Sequence, residues 1–130
     1  MSKPELSLEI EGGESGFRPG DTLRATVNVR ANGIWTARGG TLDLLYWTEG
    51  QGDEDRATAH RETLFTKDQQ VNAQFRKTFT LTAPQFPWSY HGNRIKIHWC
   101  LGLYVRAKGE DQQLLELPLV IHPRPQELLA

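Results

Sequence analysis

The sequence predicts a two-sheet antiparallel β-sandwich of about seven strands. Apolar and polar residues alternate along several stretches, turn-forming residues separate those stretches, and no stretch of helical length carries apolar residues at the spacing of a helix. Alternation puts the apolar side chains of a strand on one face, so two sheets can bury those faces against each other. A closed barrel satisfies the same pattern and remains an alternative.

The alternation is longest between residues 95 and 105, where every second residue is apolar, and shorter runs occupy residues 6–10, 23–29 and 115–121. Gly, Pro, Asn and Asp cluster between the runs and supply the backbone angles that tight turns need. Pro118 lies inside the last run and indicates a sheet edge or a bulge, because proline cannot donate to a ladder. The predicted strands cover residues 4–11, 21–31, 40–48, 56–66, 73–83, 93–107 and 112–122.

The length and charge are those of a single globular domain. The chain has 130 residues, of which 38% are hydrophobic and 24% are charged, enough for one core and too few for two. We expect the sandwich to span residues 1–122 and a short tail to span residues 123–130. The net charge of −1 argues against a global field for nucleic acid or an anionic membrane.

The cysteine count and the apolar stretches bear on location. Cys100 is the single cysteine, so no intramolecular disulfide forms and no oxidising compartment is required. Residues 1–6 lack the apolar region of a signal peptide, and residues 95–105 are too few to span a bilayer and include two polar residues, Lys96 and His98. We therefore expect a cytoplasmic protein without integral membrane association.

Two segments resemble the arrestin-like family. Residues 17–27 (FRPGDTLRATV) are similar to the start of such a domain, where a Pro-Gly turn opens the second strand. Residues 83–92 (APQFPWSYHG) and the following 94–99 (RIKIHW) resemble the family's proline-rich loop leading into a long strand, and the order and spacing of the two segments are also similar. The resemblance implies an immunoglobulin-like sandwich that serves as an adaptor or scaffold and implies no particular ligand. Arrestin-like proteins usually carry two such sandwiches, so a second domain supplied by another chain stays open.

The leading functional hypothesis is a non-catalytic module that binds another protein, with homodimerisation as a variant. Trp35 and Trp88 fall in predicted loops, where exposed indoles can anchor a partner. The alternative is that both loops fold back and cap the sandwich ends. Along the long strand, Arg106 and Tyr104 share the solvent-facing parity of a basic stripe that is either solvated or meets an acidic partner. The candidate partner-binding residues are Trp35, Trp88, Tyr90, Arg94, Lys96 and His98.

Two other classes of function stay open. A carbohydrate-binding module would use Trp35 and Trp88, with Trp47 as a third platform if the indoles line one surface. A small metal- or thiol-dependent enzyme would use His98 and Cys100, which share a strand face but fall short of the ligands of a closed metal site. The acidic residues 49–55 lack the spacing of an EF-hand calcium loop and are typical of a solvated hairpin tip. We therefore predict no cofactor and no metal.

Overall fold

The structure, a computed structural model, describes residues 3–12, 16–50, 55–84, 90–91 and 95–122. Within that part of the chain every regular element is a strand, which confirms the predicted all-β class. No helix there is long and apolar enough to cross a membrane. The strands are β1 (Glu5–Glu11), β2 (Thr22–Arg30), β3 (Trp35–Gly50), β4 (Asp55–Phe65), β5 (Gln69–Val71), β6 (Gln74–Thr82), β7 (Tyr90–His91), β8 (Ile95–Ala107) and β9 (Gln113–Leu119).

Two antiparallel sheets form the sandwich. The small sheet has the order β1-β2-β6. The large sheet is built on the order β4-β3-β8, with β5 pairing the start of β3 and with β7 and β9 both pairing β8. Pro118 pairs with Cys100 in β9, which pairs only with β8 in the described part of the chain, so the predicted edge position of this proline is confirmed.

The core lies between the sheets because the inward residues of each strand alternate as the sequence predicts. On β2 the residues Leu23, Ala25, Val27 and Val29 are buried, and on β8 Trp99 is 1% exposed at the centre of its row. Burying a leucine or valine side chain such as those on β2 contributes roughly 1.5–3 kcal/mol to stability. The two central strands, β2 and β8, therefore supply a large share of the folding free energy.

The Pro-Gly turn before β2 has the geometry that its residues favour. The amide of Asp21 donates to the carbonyl of Arg18 at 3.0 Å, and Gly20 has φ of 88°, which fits a type II turn with proline second and glycine third. Phe17, just before this turn, is tied to the segment after β9, because its amide donates to the carbonyl of Val120 at 2.8 Å. The turn therefore closes one end of the sandwich.

Strand β3 starts earlier than predicted, at Trp35 instead of residue 40, and it contains a bulge. Its register with β8 shifts between Ala37 and Gly39. Trp35 and Ala37 point into the core before the shift, whereas Leu42 and Leu44 do so after it. The bulge reverses the parity within one strand, which is why the alternation did not extend back to residue 35.

Candidate interaction surface on the large sheet

The sides of the two sheets that point away from the core differ in chemistry. On the small sheet this side is polar along all three strands. Its residues are Glu5, Ser7, Glu9 and Glu11 on β1, Thr22, Arg24, Thr26, Asn28 and Arg30 on β2, and Gln74, Arg76, Thr78, Thr80 and Thr82 on β6.

On the large sheet the corresponding side, which we call the outer face, mixes arginine, aromatic and aliphatic residues. Register defines it, because residues directly opposite each other on neighbouring strands share a face. It carries Arg56, Thr58 and Arg61 of β4, Thr41, Asp43, Leu45 and Trp47 of β3, Lys96, His98, Cys100, Tyr104 and Arg106 of β8, and Leu114, Glu116 and Pro118 of β9.

One end of the outer face is a row of stacked side chains. Trp47 is paired with Arg56 on one side and with His98 on the other. The rings of Trp47 and His98 are stacked with centroids 5.0 Å apart, and the guanidinium carbon of Arg56 lies 5.8 Å from the Trp47 ring centroid. The Nε2 atom of His98 is 3.2 Å from Glu49. The row presents a flat aromatic surface flanked by charge.

The centre of the outer face is buried although it points away from the core. Asp43 is 2% exposed, and Leu45 and Cys100 are each 1% exposed. Arg61 covers this centre and binds both carboxylate oxygens of Asp43, through Nε and Nη2, each at 2.9 Å. The hydrogen bond to Asp43 and the negative charge of Asp43 raise the pKa of Arg61, so the guanidinium that covers this centre stays charged.

Gly102 lets an aromatic ring lie across this centre. A Cβ atom at residue 102 would stand 2.9 Å from Cε2 of Tyr104, closer than side chains tolerate. Glycine thus allows the Tyr104 ring to lie close to the sheet, and its hydroxyl accepts a long hydrogen bond of 3.4 Å from Arg56.

Cys100 belongs to the same layer, and its surroundings keep it a thiol. Its Sγ donates to Glu116 Oε2 at 3.3 Å, and that oxygen also accepts from Arg56 Nη2 at 2.9 Å. Burial, followed by the hydrogen bond and charge of Glu116, raises the pKa of Cys100 to about 12. The thiolate that a nucleophile or metal ligand needs is therefore disfavoured at neutral pH. The described residues also contain no group of three or more His, Cys, Asp and Glu that could hold a metal ion.

Exposed aliphatic residues lie along the outer side of β9. Leu114 is opposite Tyr104 and is 49% exposed, and Val120, just beyond the strand, is 44% exposed. Pro118 is exposed between them. Together with Tyr104 these residues make an apolar margin beside the charged centre.

A cleft of about 620 Å³ runs along β3 on the outer face. Its floor includes Gly39, Thr41 and Asp43. Four arginines line it, namely Arg38, Arg56, Arg61 and Arg106, and Tyr104 forms part of its β8 wall. The volume falls in the usual range for ligand-binding clefts.

The structure brings part of the predicted basic stripe onto this face. On β8, Lys96 is exposed and His98 is half-buried, and both lie on the same face of the strand as Tyr104 and Arg106. Tyr90 lies in β7, where it pairs with Ile97. The candidates Trp88 and Arg94 lie outside the described residues.

Trp35 requires a correction, because its placement in a loop is wrong. It is the first residue of β3, is 2% exposed and packs edge to face on Phe65 with ring centroids 5.3 Å apart. Buried there, it offers no surface to a partner or a sugar. Trp47 is on the outer face, so these two indoles do not form one platform, as a carbohydrate-binding module would require.

The sequence analysis missed Asp43, Arg56 and Arg61, which come together only through the β3–β4 pairing. One signal was present, since Asp43 interrupts the apolar residues 42–45 and a buried carboxylate needs a partner.

The sequence matches no protein-family profile and no curated protein. Among solved structures the fold is similar to that of Spo0M, a sporulation control protein from Bacillus subtilis, with a TM-score of 0.74 and 16% sequence identity over 96% of this chain and 51% of that chain. The chain thus spans about half the length of Spo0M. At this identity the likeness shows the fold alone: the chain forms an antiparallel β-sandwich like that of Spo0M.

Proposed function

We propose that this domain is a non-catalytic module that binds another protein through the outer face of the large sheet. The observation that carries the proposal is the contrast between the two sheets. The small sheet turns only polar residues to solvent, whereas the outer face adds Trp47, Tyr104 and Leu114 to its arginines, with Val120 exposed just beyond β9. Aromatic residues and arginine are enriched where proteins bind each other.

The strand edges favour a face over strand addition as the contact. Edge strand β6 carries Lys77 at a core-facing position opposite Val27, and its ammonium lies 5.0 Å from the centroid of the Phe79 ring. A charged side chain that points inward from an edge strand hinders pairing with another strand. Edge strand β4 has two register shifts against β3, and bulges twist an edge away from a partner. A partner therefore gains more contact on the outer face.

The state of Cys100 supports a binding role. A buried thiol held protonated by Glu116 stabilises the surface layer and leaves no reactive sulfur on the face. The resemblance to arrestin-like domains and the similarity to a sporulation control protein both fit a regulatory adaptor. We infer a cytoplasmic location from the single cysteine, and a sandwich over residues 1–122 followed by a short tail.

Affinity capture from the native cell extract with matched variants tests this role. The face variant is Leu114→Glu with Val120→Glu, and the control is Thr26→Glu with Thr80→Glu on the small sheet. We expect the wild type and the control to capture the same protein and the face variant to lose it, with all three showing similar thermal unfolding. Equal capture by both variants would refute the proposed surface. Capture of a second copy of this chain, lost in the face variant, would identify the partner as itself.

A further inference from the structure

The arginines of the cleft are spaced regularly along β3. Arg106 is opposite Gly39, Arg61 is opposite Asp43, and Arg56 is opposite Trp47. The three registers on β3 are therefore four residues apart, or about 13 Å at the rise of a strand. Arg106 stands on the β8 side of the cleft and the other two on the β4 side, so the guanidinium groups flank its length.

These arginines retain donors for a ligand. Arg61 uses Nε and Nη2 on Asp43, which leaves Nη1 without an acceptor among the described residues. Arg56 uses Nη2 on Glu116 and on Tyr104. Arg106 forms no ion pair with any described residue. Since a guanidinium has five N–H donors, each of these groups can donate to a further carboxylate.

The charged groups that the lining exposes to solvent are guanidinium groups. Its single carboxylate, Asp43, is 2% exposed and fully occupied by Arg61, so a molecule entering the cleft meets guanidinium groups. Arg38 adds a fourth group beside Arg106 and bonds Asp68 at 3.0 Å through Nη1 only. Guanidinium groups pair with oxyanions such as the carboxylates of Asp and Glu through two parallel hydrogen bonds.

The shape of the cleft selects an extended polypeptide. Residues i and i+4 of an extended chain lie on the same face and about 13 Å apart, which matches the spacing along β3 of the residues that these arginines lie opposite. Nucleic acid fits less well, because the domain has a net charge of −1 and the cleft offers a single aromatic ring for stacking, that of Tyr104.

We infer that the cleft binds an acidic, extended segment of a partner protein, with its carboxylates on Arg106, Arg61 and Arg56 in turn. This inference rests on the proposed function and specifies the chemistry of the partner. Leu114 and Val120 lie outside the cleft lining and provide a separate apolar contact. The two parts of the surface can therefore be tested independently.

The test is a fluorescence-anisotropy titration of the full chain with a labelled peptide of alternating Glu and Ser. The variant is Arg106→Gln. The matched control is Arg76→Gln on the small sheet, which removes a charge that likewise forms no ion pair with the residues the structure describes. We expect the wild type and Arg76→Gln to bind equally, Arg106→Gln to bind about tenfold more weakly, and the affinity to fall as salt is added. Arg38→Gln is a second variant and should weaken binding in the same direction.

Three results would overturn the inference. They are no binding of the acidic peptide, equal weakening by Arg106→Gln and Arg76→Gln, and tighter binding of a labelled single-stranded oligonucleotide than of the peptide. In each case the proposed function still stands if Leu114→Glu with Val120→Glu abolishes capture of a protein partner. If the capture is also unaffected by that variant, both the acidic-segment inference and the proposed function are wrong.

Discussion

Cys100 owes its chemistry to neighbours that are distant in sequence. Its strand position puts it on the side of β8 away from the core, where a cysteine would ordinarily be open to solvent. Glu116 from β9 accepts a hydrogen bond from its Sγ, Arg56 from β4 donates to Glu116, and Cys100 is only 1% exposed. The thiol thus joins the three strands across the outer face.

The raised pKa of Cys100 predicts how stability changes at alkaline pH. The folded chain keeps the thiol proton up to a pKa of about 12, whereas the unfolded chain loses it near its ordinary value of about 8.5. The folded state therefore binds more protons between these values, and the free energy of unfolding falls as pH rises, by at most about 1.4 kcal/mol per pH unit from this group. Below the pKa of the unfolded chain, the contribution of this thiol to the free energy of unfolding is fully present.

Urea unfolding of the wild type and Cys100→Ser at about pH 8 and about pH 10 measures this effect. Serine keeps a donor for Glu116 and does not titrate in this range. We expect the wild type to lose more stability than the serine variant over the interval. Parallel losses in the two proteins, or rapid modification of the native thiol by a disulfide reagent, would show that Cys100 is ionisable in the fold.

At the scale of elements, the sequence predicts strands well and bulges poorly. The long alternation of residues 95–105 indicates β8 and places Trp99 in the core, as the structure confirms. In β3 the residues Gly39 and Gly40 resemble a turn, yet the strand continues through them because the bulge realigns it with β8. That realignment depends on pairing with Ala107, which no local pattern reports.

The outer face was likewise predictable within a strand and not predictable where it depends on pairing between strands. Strand parity alone put Lys96, His98, Tyr104 and Arg106 on one side of β8, and the structure agrees. The cleft also needs Arg56 and Arg61, whose position depends on the β3–β4 register and its two shifts. The sequence thus predicted the β8 wall of the cleft, whereas the β4 wall could be found only from the three-dimensional structure.

Gly39 and Gly40 provide a matched pair of substitutions within one strand. A Cβ at Gly40 would stand 2.6 Å from Cδ2 of Phe65, whose ring is buried between Trp35 and Phe75, whereas a Cβ at Gly39 meets nothing within 4 Å. Gly40→Ala should therefore lower the free energy of unfolding by about 1–3 kcal/mol. Gly39→Ala should change it by less than about 0.5 kcal/mol.

Chemical denaturation of both variants checks this assignment of the two faces. If Gly39→Ala is the more destabilising, the bulge lies elsewhere and the inward parity of β3 is wrong. Similar small effects would mean that Phe65 moves easily, contrary to its place between two aromatic rings.

On the scale of the whole molecule, the sandwich has two unlike sides. The small sheet has the composition of a solvated surface, with glutamate on β1 and threonine on β2 and β6. The large sheet has a second layer over its strands, in which arginine, tyrosine and glutamate side chains bury Asp43, Leu45 and Cys100. Such a layer fixes the side chains of the outer face before a partner arrives, which lowers the entropic cost of binding.

Photo-crosslinking in living cells tests the proposed interaction surface most directly. A benzoylphenylalanine is introduced at Leu114 on the outer face in one protein and at Thr80 on the small sheet in another. We predict that irradiation joins the Leu114 protein to one discrete partner and leaves the Thr80 protein unlinked. Discrete crosslinking from Thr80 with none from Leu114 would contradict the assignment of the interaction surface to the large sheet.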